Sequence, residues 1–220
     1  MVSSASSSSR RRTWVAAVAA VLAACLVSAA LLIGVRLGSG ASAQPNSPDD
    51  ASVDAGFARD MQRHHSQAVE MSLLTLDISR DPEIRTLASD ILLTQQQQVG
   101  QMYAWLDTWG LSQTTSVDPM QWMSEHAGHS SGMDDAMPES EMPGMASDQQ
   151  LQALADAGPG EVDRRYLQLM IPHHVGALDM AQYAADHAAT AEVRHLADSI
   201  EAAQANELTV LRDLLAERRT

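Results

Sequence analysis

Sliding the chain against itself exposes a duplication: residues 57–106 align without a gap on 166–215, at a constant offset of 109, with 13 identities in 50 positions. About three would be expected from average composition. The matched residues are Met61/Met170, His64/His173, His65/His174, Ala68/Ala177, Met71/Met180, Asp77/Asp186, Glu83/Glu192, Arg85/Arg194, Leu87/Leu196, Ala88/Ala197, Ile91/Ile200, Gln95/Gln204 and Leu106/Leu215. Each copy holds two stretches of helical periodicity broken by turn residues, and strand signals are almost absent. The spacing predicts helices over about 48–79 and 82–109 in the first copy, the earlier starting at Ser47-Pro48 and the later at Asp81-Pro82. In the second copy it predicts a short helix capped by Ser147 and Gln150, then long helices over about 161–188 and 191–217. Two helical hairpins, each apolar on one side, bury those sides against each other. The expected fold is therefore all-α, an antiparallel four-helix bundle with approximate two-fold symmetry. Its domain runs over 44–220, with repeat one at 52–110, a crossover loop at 111–146 and repeat two at 147–217. The loop, filled with Ser, Gly, Pro, Asp, Met and His, has too few large apolar groups to pack and is expected to be mobile.

The segment ahead of this domain sets the compartment. Arg10, Arg11 and Arg12 precede an uncharged stretch, Trp14 to Val35, long enough to cross a bilayer as a helix. Arginines on its N-terminal side place the C-terminal remainder of the chain outside the cytoplasm. Residues 1–43 thus read as a signal or transmembrane anchor with its linker, making a single-pass membrane protein with an extracytoplasmic C-terminal domain. Cleavage after Ala41-Ser42-Ala43, or lipid attachment at Cys25, would export the domain equally. Beyond residue 43 the chain carries ten arginines against 28 acids and no lysine, which excludes nucleic acid as a partner and favours cations. Cys25, the single cysteine, lies in the leader, so any metal must be held by His, Met or carboxylate.

At 100° per residue, Met61, His64, His65 and Met71 fall on one face of the first helix, around the small Ala68, while Glu70 points away to solvent. Met170, His173, His174 and Met180 repeat the arrangement around Ala177. If the symmetry brings these helices together, up to four imidazoles and four thioethers converge, neutral soft ligands suited to Cu(I) and Ag(I). Methionine also fills irregular cores, so the sulfurs alone are compatible with packing. Paired buried histidines are costlier, because each needs a partner that a purely structural bundle has no reason to supply. Ligand histidines bind metal deprotonated, so affinity is expected to fall below about pH 6. His187 and His195, without counterparts in the first copy, read as surface residues. The loop adds a second candidate cluster: Met120, Met123, His126, His129, Met133, Met137, Met142 and Met145. These lack helical periodicity, and such a loop could capture an ion weakly and pass it on.

The string Tyr166-Leu-Gln-Leu-Met-Ile-Pro-His-His-Val-Gly-Ala-Leu-Asp-Met180, with Met-x-x-His-His-x-x-Ala-x-x-Met in both copies and Gln95, Met102, Trp105 and Leu106 in the second helix, resembles domain-of-unknown-function family 305. The resemblance covers about residues 52–217. It implies a ferritin-like fold and, since the family includes CopM-type copper-binding proteins of the cell envelope, extracytoplasmic binding of copper or silver. The residues at matching motif positions are Met61, His64, His65, Met71, Met170, His173, His174 and Met180. Two positions depart between the copies: Arg63 stands opposite Pro172, and Gln98 stands opposite Glu207 where a glutamate is usual. The first-half site is accordingly expected to be weaker or differently shaped.

An enzyme reading finds little to use. Di-iron chemistry needs two Glu-x-x-His pairs; Glu192 with His195 is one, but the first copy offers Glu83 with Thr86. No His-Glu-x-x-His or Gly-x-Ser-x-Gly occurs. The expected function is non-enzymatic copper binding, as Cu(I) with silver as an alternative ion, for storage, delivery or resistance, with a copper-handling protein as a further partner. The competing reading is a membrane-tethered helical module that docks a partner or senses pH through its histidines. None of these features encodes an oligomeric state.

Overall fold

The computed structural model describes residues 47–124 and 142–218. The leader expected over 1–43 lies outside the described residues, among which no helix is long and apolar enough to cross a membrane. The described chain is all-α: α1 Val53–Ile78, α2 Pro82–Trp109, a 3-10 turn Gln121–Met123, α3 Asp148–Ala155, α4 Val162–His187 and α5 Ala191–Glu217, with no strand. α1 packs on α2 and α4 packs on α5 as two hairpins, and α1 meets α4 where the hairpins join.

Local chemistry sets the boundaries. The Asp81 carboxylate accepts the Glu83 and Ile84 amides with Pro82 in the first turn, and Gly110 ends α2 in the left-handed region at φ 72°. Ser147 and Gln150 form the expected reciprocal capping box. One boundary differs from expectation: α1 begins at Val53, capped by Ser52, and not near Ser47-Pro48. Asp50, expected in the first helical turn, instead pairs with the buried Arg59, whose guanidinium also donates to the carbonyls of Asp50 and Ser112. That pairing holds the chain before Ser52 out of the helix. Asp54, at the start of α1, accepts from the Ala189 and Thr190 amides and the Thr190 hydroxyl, tying the first hairpin to the turn of the second.

The expectation of an unpacked crossover fails at both described ends of the loop. Met120 N–H and Trp122 Nε1–H donate to the buried Asp60, whose carboxyl burial pushes upward in pKa. Trp122 packs edge-on to Phe57 and Tyr183 over Gly56, where a Cβ would lie 2.4 Å from the indole. At the far end the Gln67 amide side chain pairs with both the N–H and the carbonyl of Ala146. Few apolar groups suffice here because buried side chains of α1 supply specific hydrogen bonds to the loop backbone.

The core divides in two. One apolar cluster gathers Phe57, Met61, Met102, Leu106, Met180, Tyr183, Val193 and Ile200. The other gathers Met71, Ile84, Ile91, Leu154, Tyr166, Leu167, Met170 and Leu211. Along each long helix the two apolar stretches are interrupted at one level by polar residues: His64 and His65 in α1, Gln95 and Gln98 in α2, His173 and His174 in α4, Gln204 and Glu207 in α5.

Candidate metal centre

This polar level is the candidate site. All four histidines are fully buried. The antiparallel crossing of α1 and α4 sets the imidazole of His64 against that of His173, ring centroids 3.8 Å apart, with His65 and His174 at 6.5 Å and 6.4 Å from their chain neighbours. Each Nε2 meets an oxygen. His65 Nε2–H donates to Gln98 Oε1 at 2.8 Å, His174 Nε2–H to Glu207 at 2.7 Å, His173 Nε2–H to the His64 carbonyl at 2.9 Å and His64 Nε2–H to the Pro143 carbonyl at 3.0 Å. A carbonyl or carboxylate oxygen can only accept, so these contacts hold the proton on Nε2 and leave the Nδ1 lone pair free. No Nδ1 of the four has a hydrogen-bond partner among the described residues. Burial opposes the imidazolium form: the pKa of His64 falls to about 4, that of His65 to about 3, and that of His173 well below the ordinary value. His64, His65 and His173 are thereby neutral nitrogen bases at neutral pH.

The four methionines are fully buried beside this level, but not as the helical wheel groups them. Met61 joins Met180 in one apolar cluster, and Met71 joins Met170 in the other. Each cluster thus takes one sulfur from each repeat, because antiparallel helices set the start of one motif against the end of the other. Among the described residues no three His, Cys, Asp or Glu side chains are grouped as a metal site, so an ion here would need thioether sulfur to complete its shell.

The loop candidates separate. Met123 is buried in the first apolar cluster, Met120 packs against it in the left-handed region at φ 65°, Met142 is 2% exposed and Met145 is half-buried. His126, His129, Met133 and Met137 lie outside the described residues. Glu70, His187 and His195 are exposed, with His187 stacked on Tyr183.

Sequence reasoning missed the strap Met142–Ala146. Gly144, at φ 78°, lies against Pro172, where a Cβ would come 2.1 Å from the carbonyl oxygen, and a Cβ on Gly176 would come 1.9 Å from the Pro143 oxygen. Two glycines let the strap seat on α4 and place the Pro143 carbonyl on His64. A glycine inside a helix at 176 and Pro-Gly at 143 were the available signals, but neither names its partner.

Comparison with known proteins identifies the family to which this duplicated helical chain belongs. The domain-of-unknown-function model DUF305 matches residues 54–215. This chain belongs to the DUF305 family. A DUF305 protein of Streptomyces coelicolor, described as secreted, is 39% identical with a TM-score of 0.69, over 77% of this chain and 96% of its own. CopM in its Cu(II)-bound form is 26% identical with a TM-score of 0.54, over 76% of this chain and 97% of its own. CopM has also been solved with Cu(I) and with silver, at 24% identity, a likeness of fold. Among curated proteins, the uncharacterized protein L153 of Acanthamoeba polyphaga mimivirus is 37% identical over 54 residues. The chain spans about a third of that protein's length, 36%.

Proposed function

We propose that this DUF305 protein binds copper, as Cu(I) with silver as an analogue, through Met61, His64, His65, Met71, Met170, His173, His174 and Met180. The observation that carries the reading is the set of four buried imidazoles with Nε2 engaged and Nδ1 free, beside four buried thioethers. Uncharged nitrogen and sulfur donors in an apolar surround suit a soft monovalent ion, whose charge they need not neutralise in pairs. The Cu(II)-bound CopM relative supports a copper cargo. The role is storage, delivery or resistance outside the cytoplasm, without catalysis. The layout we propose is a ferritin-like four-helix bundle over 44–220, following a leader over 1–43 that anchors or exports it. The relative described as secreted supports export. The loop methionines and histidines, with Met120, Met123, Met142 and Met145 at its ends, would feed the bundle, and a copper-handling protein would exchange ion with it.

The test is a Cu(I) titration of the full chain against a chromophoric chelator. Two variants accompany it: His64, His65, His173 and His174 all changed to Ala, and Met61, Met71, Met170 and Met180 all changed to Leu. The Leu set conserves volume and keeps the core packed. Tight binding lost in both variants supports the reading, binding retained in both moves the chemistry to the loop, and no binding by the unaltered chain refutes it.

A further inference from the structure

The histidines are not the whole of the polar level. Ten buried side-chain nitrogen or oxygen atoms have no hydrogen-bond partner among the described residues, and eight of them lie here: the four Nδ1 atoms and both amide atoms of Gln95 and of Gln204. These two glutamines are 2% exposed, and they are repeat partners at the same offset of 109 as the histidines. Each sits one helical turn from the residue that holds a histidine: Gln95 precedes Gln98, the partner of His65, and Gln204 precedes Glu207, the partner of His174. With α1 and α2 antiparallel and His65 bonded to Gln98, Gln95 falls at the register of Ala68; by the same count Gln204 falls at the register of Ala177. Ala68 and Ala177 offer only a methyl group at those positions.

A buried amide left without partners costs on the order of 1–3 kcal/mol. Leucine would fill either position with similar volume at no such cost, and the neighbours on the same stripes, Ile91 and Ile200, are of that kind. The structural purpose of Gln95 is therefore weak, whereas a ligand-binding purpose explains why the same amide recurs at the same level in both copies. An amide oxygen is a hard, neutral donor, which binds Cu(II) far better than Cu(I) or Ag(I).

We propose that Gln95 and Gln204 belong to the metal centre and select oxidation state, their amide oxygens supplying the hard donors by which the site accepts Cu(II) as well as soft ions. This rests on the copper reading above. The experiment measures Cu(II) and Ag(I) affinities of the full chain, side by side with a variant carrying Gln95→Leu and Gln204→Leu and one carrying Gln95→Glu and Gln204→Glu. The Leu variant should lose Cu(II) affinity by about tenfold or more while Ag(I) binding stays within about threefold, and the Glu variant, which keeps an oxygen donor, should restore Cu(II) binding. Retained Ag(I) binding also reports that the variant is folded. Equal loss of both ions, or an unchanged Cu(II) to Ag(I) ratio, overturns the selection. Failure of the unaltered chain to bind Ag(I) or Cu(I) is a different result, since it removes the copper reading itself.

Discussion

At the scale of single residues, the imidazoles link metal chemistry to stability. In the unfolded chain a histidine titrates near 6.5, whereas in the fold His64 stands at about 4, His65 at about 3 and His173 well below the ordinary value, because burial strips the imidazolium of water. As pH falls below about 6.5 the unfolded chain takes up protons that the folded one refuses, so stability is complete above that value and is lost on acidification. Each such histidine contributes a slope of at most about 1.4 kcal/mol per pH unit until its folded value is reached. Urea unfolding of the metal-free full chain should therefore show midpoints that fall steadily from pH 7 to pH 5, and His65→Gln should make the decline shallower. Stability independent of pH over that range would mean that the imidazoles accept protons inside the fold. The same values bear on the expectation that affinity falls below about pH 6. Protons compete poorly for the nitrogens of His64 and His65, which titrate at about 4 and about 3, so metal binding lost by these two at pH 5 to 6 should accompany unfolding and not precede it.

At the scale of elements, the strap Met142–Ala146 couples the loop to the histidines. Its seat on α4 depends on Gly144 and Gly176, each too close to opposing backbone to carry a Cβ. Gly176→Ala would drive a methyl group into the Pro143 carbonyl, which cannot swing away as a side-chain tip can. We expect a loss of at least about 2 kcal/mol, read as a lower thermal midpoint, with weaker metal binding because the His64 acceptor leaves with the strap. Gly100→Ala, in open space on α2, is the control and should stabilise slightly. These contacts also mark what a sequence can convey. The helices were legible because capping and periodicity are local: Asp81-Pro82, Ser147 with Gln150 and the 109-residue offset state themselves in the chain. The histidine pairs were legible because duplication repeats them. The sorting of Met61 with Met180 and Met71 with Met170 was not, since it depends on how two helices cross. Nor was the anchoring of Met120 and Trp122 on Asp60, or of Ala146 on Gln67, where residues some 60 to 80 positions apart meet through a pair of hydrogen bonds each. The start of α1 was misplaced for the same reason, because Asp50 answers to Arg59 and not to its own first turn.

At the scale of the whole molecule, duplication gives two near-equivalent halves whose differences are where evolution of the site can be read as chemistry. His174 gives its Nε2 proton to the Glu207 carboxylate, while His65 gives its own to the neutral Gln98 amide. A carboxylate partner makes the opposite ring nitrogen more basic and a better donor than an amide partner does, and changes at this position shift metal affinity by roughly 10- to 100-fold. His174 should therefore be the stronger ligand. Glu207→Gln should weaken Cu(I) binding by about tenfold, and Gln98→Glu should strengthen it by a comparable factor. The chain carrying both changes exchanges the two partners between halves and keeps the total charge. Because α1 and α4 cross with His64 on His173, the halves share one site, and the exchanged chain should bind nearly as the unaltered one does. A competition titration of the three variants decides the matter: an exchanged chain clearly weaker than the unaltered one would show that the strap, whose Pro143 carbonyl accepts from His64 while His173 donates to the His64 carbonyl, makes the halves unequal regardless of these partners.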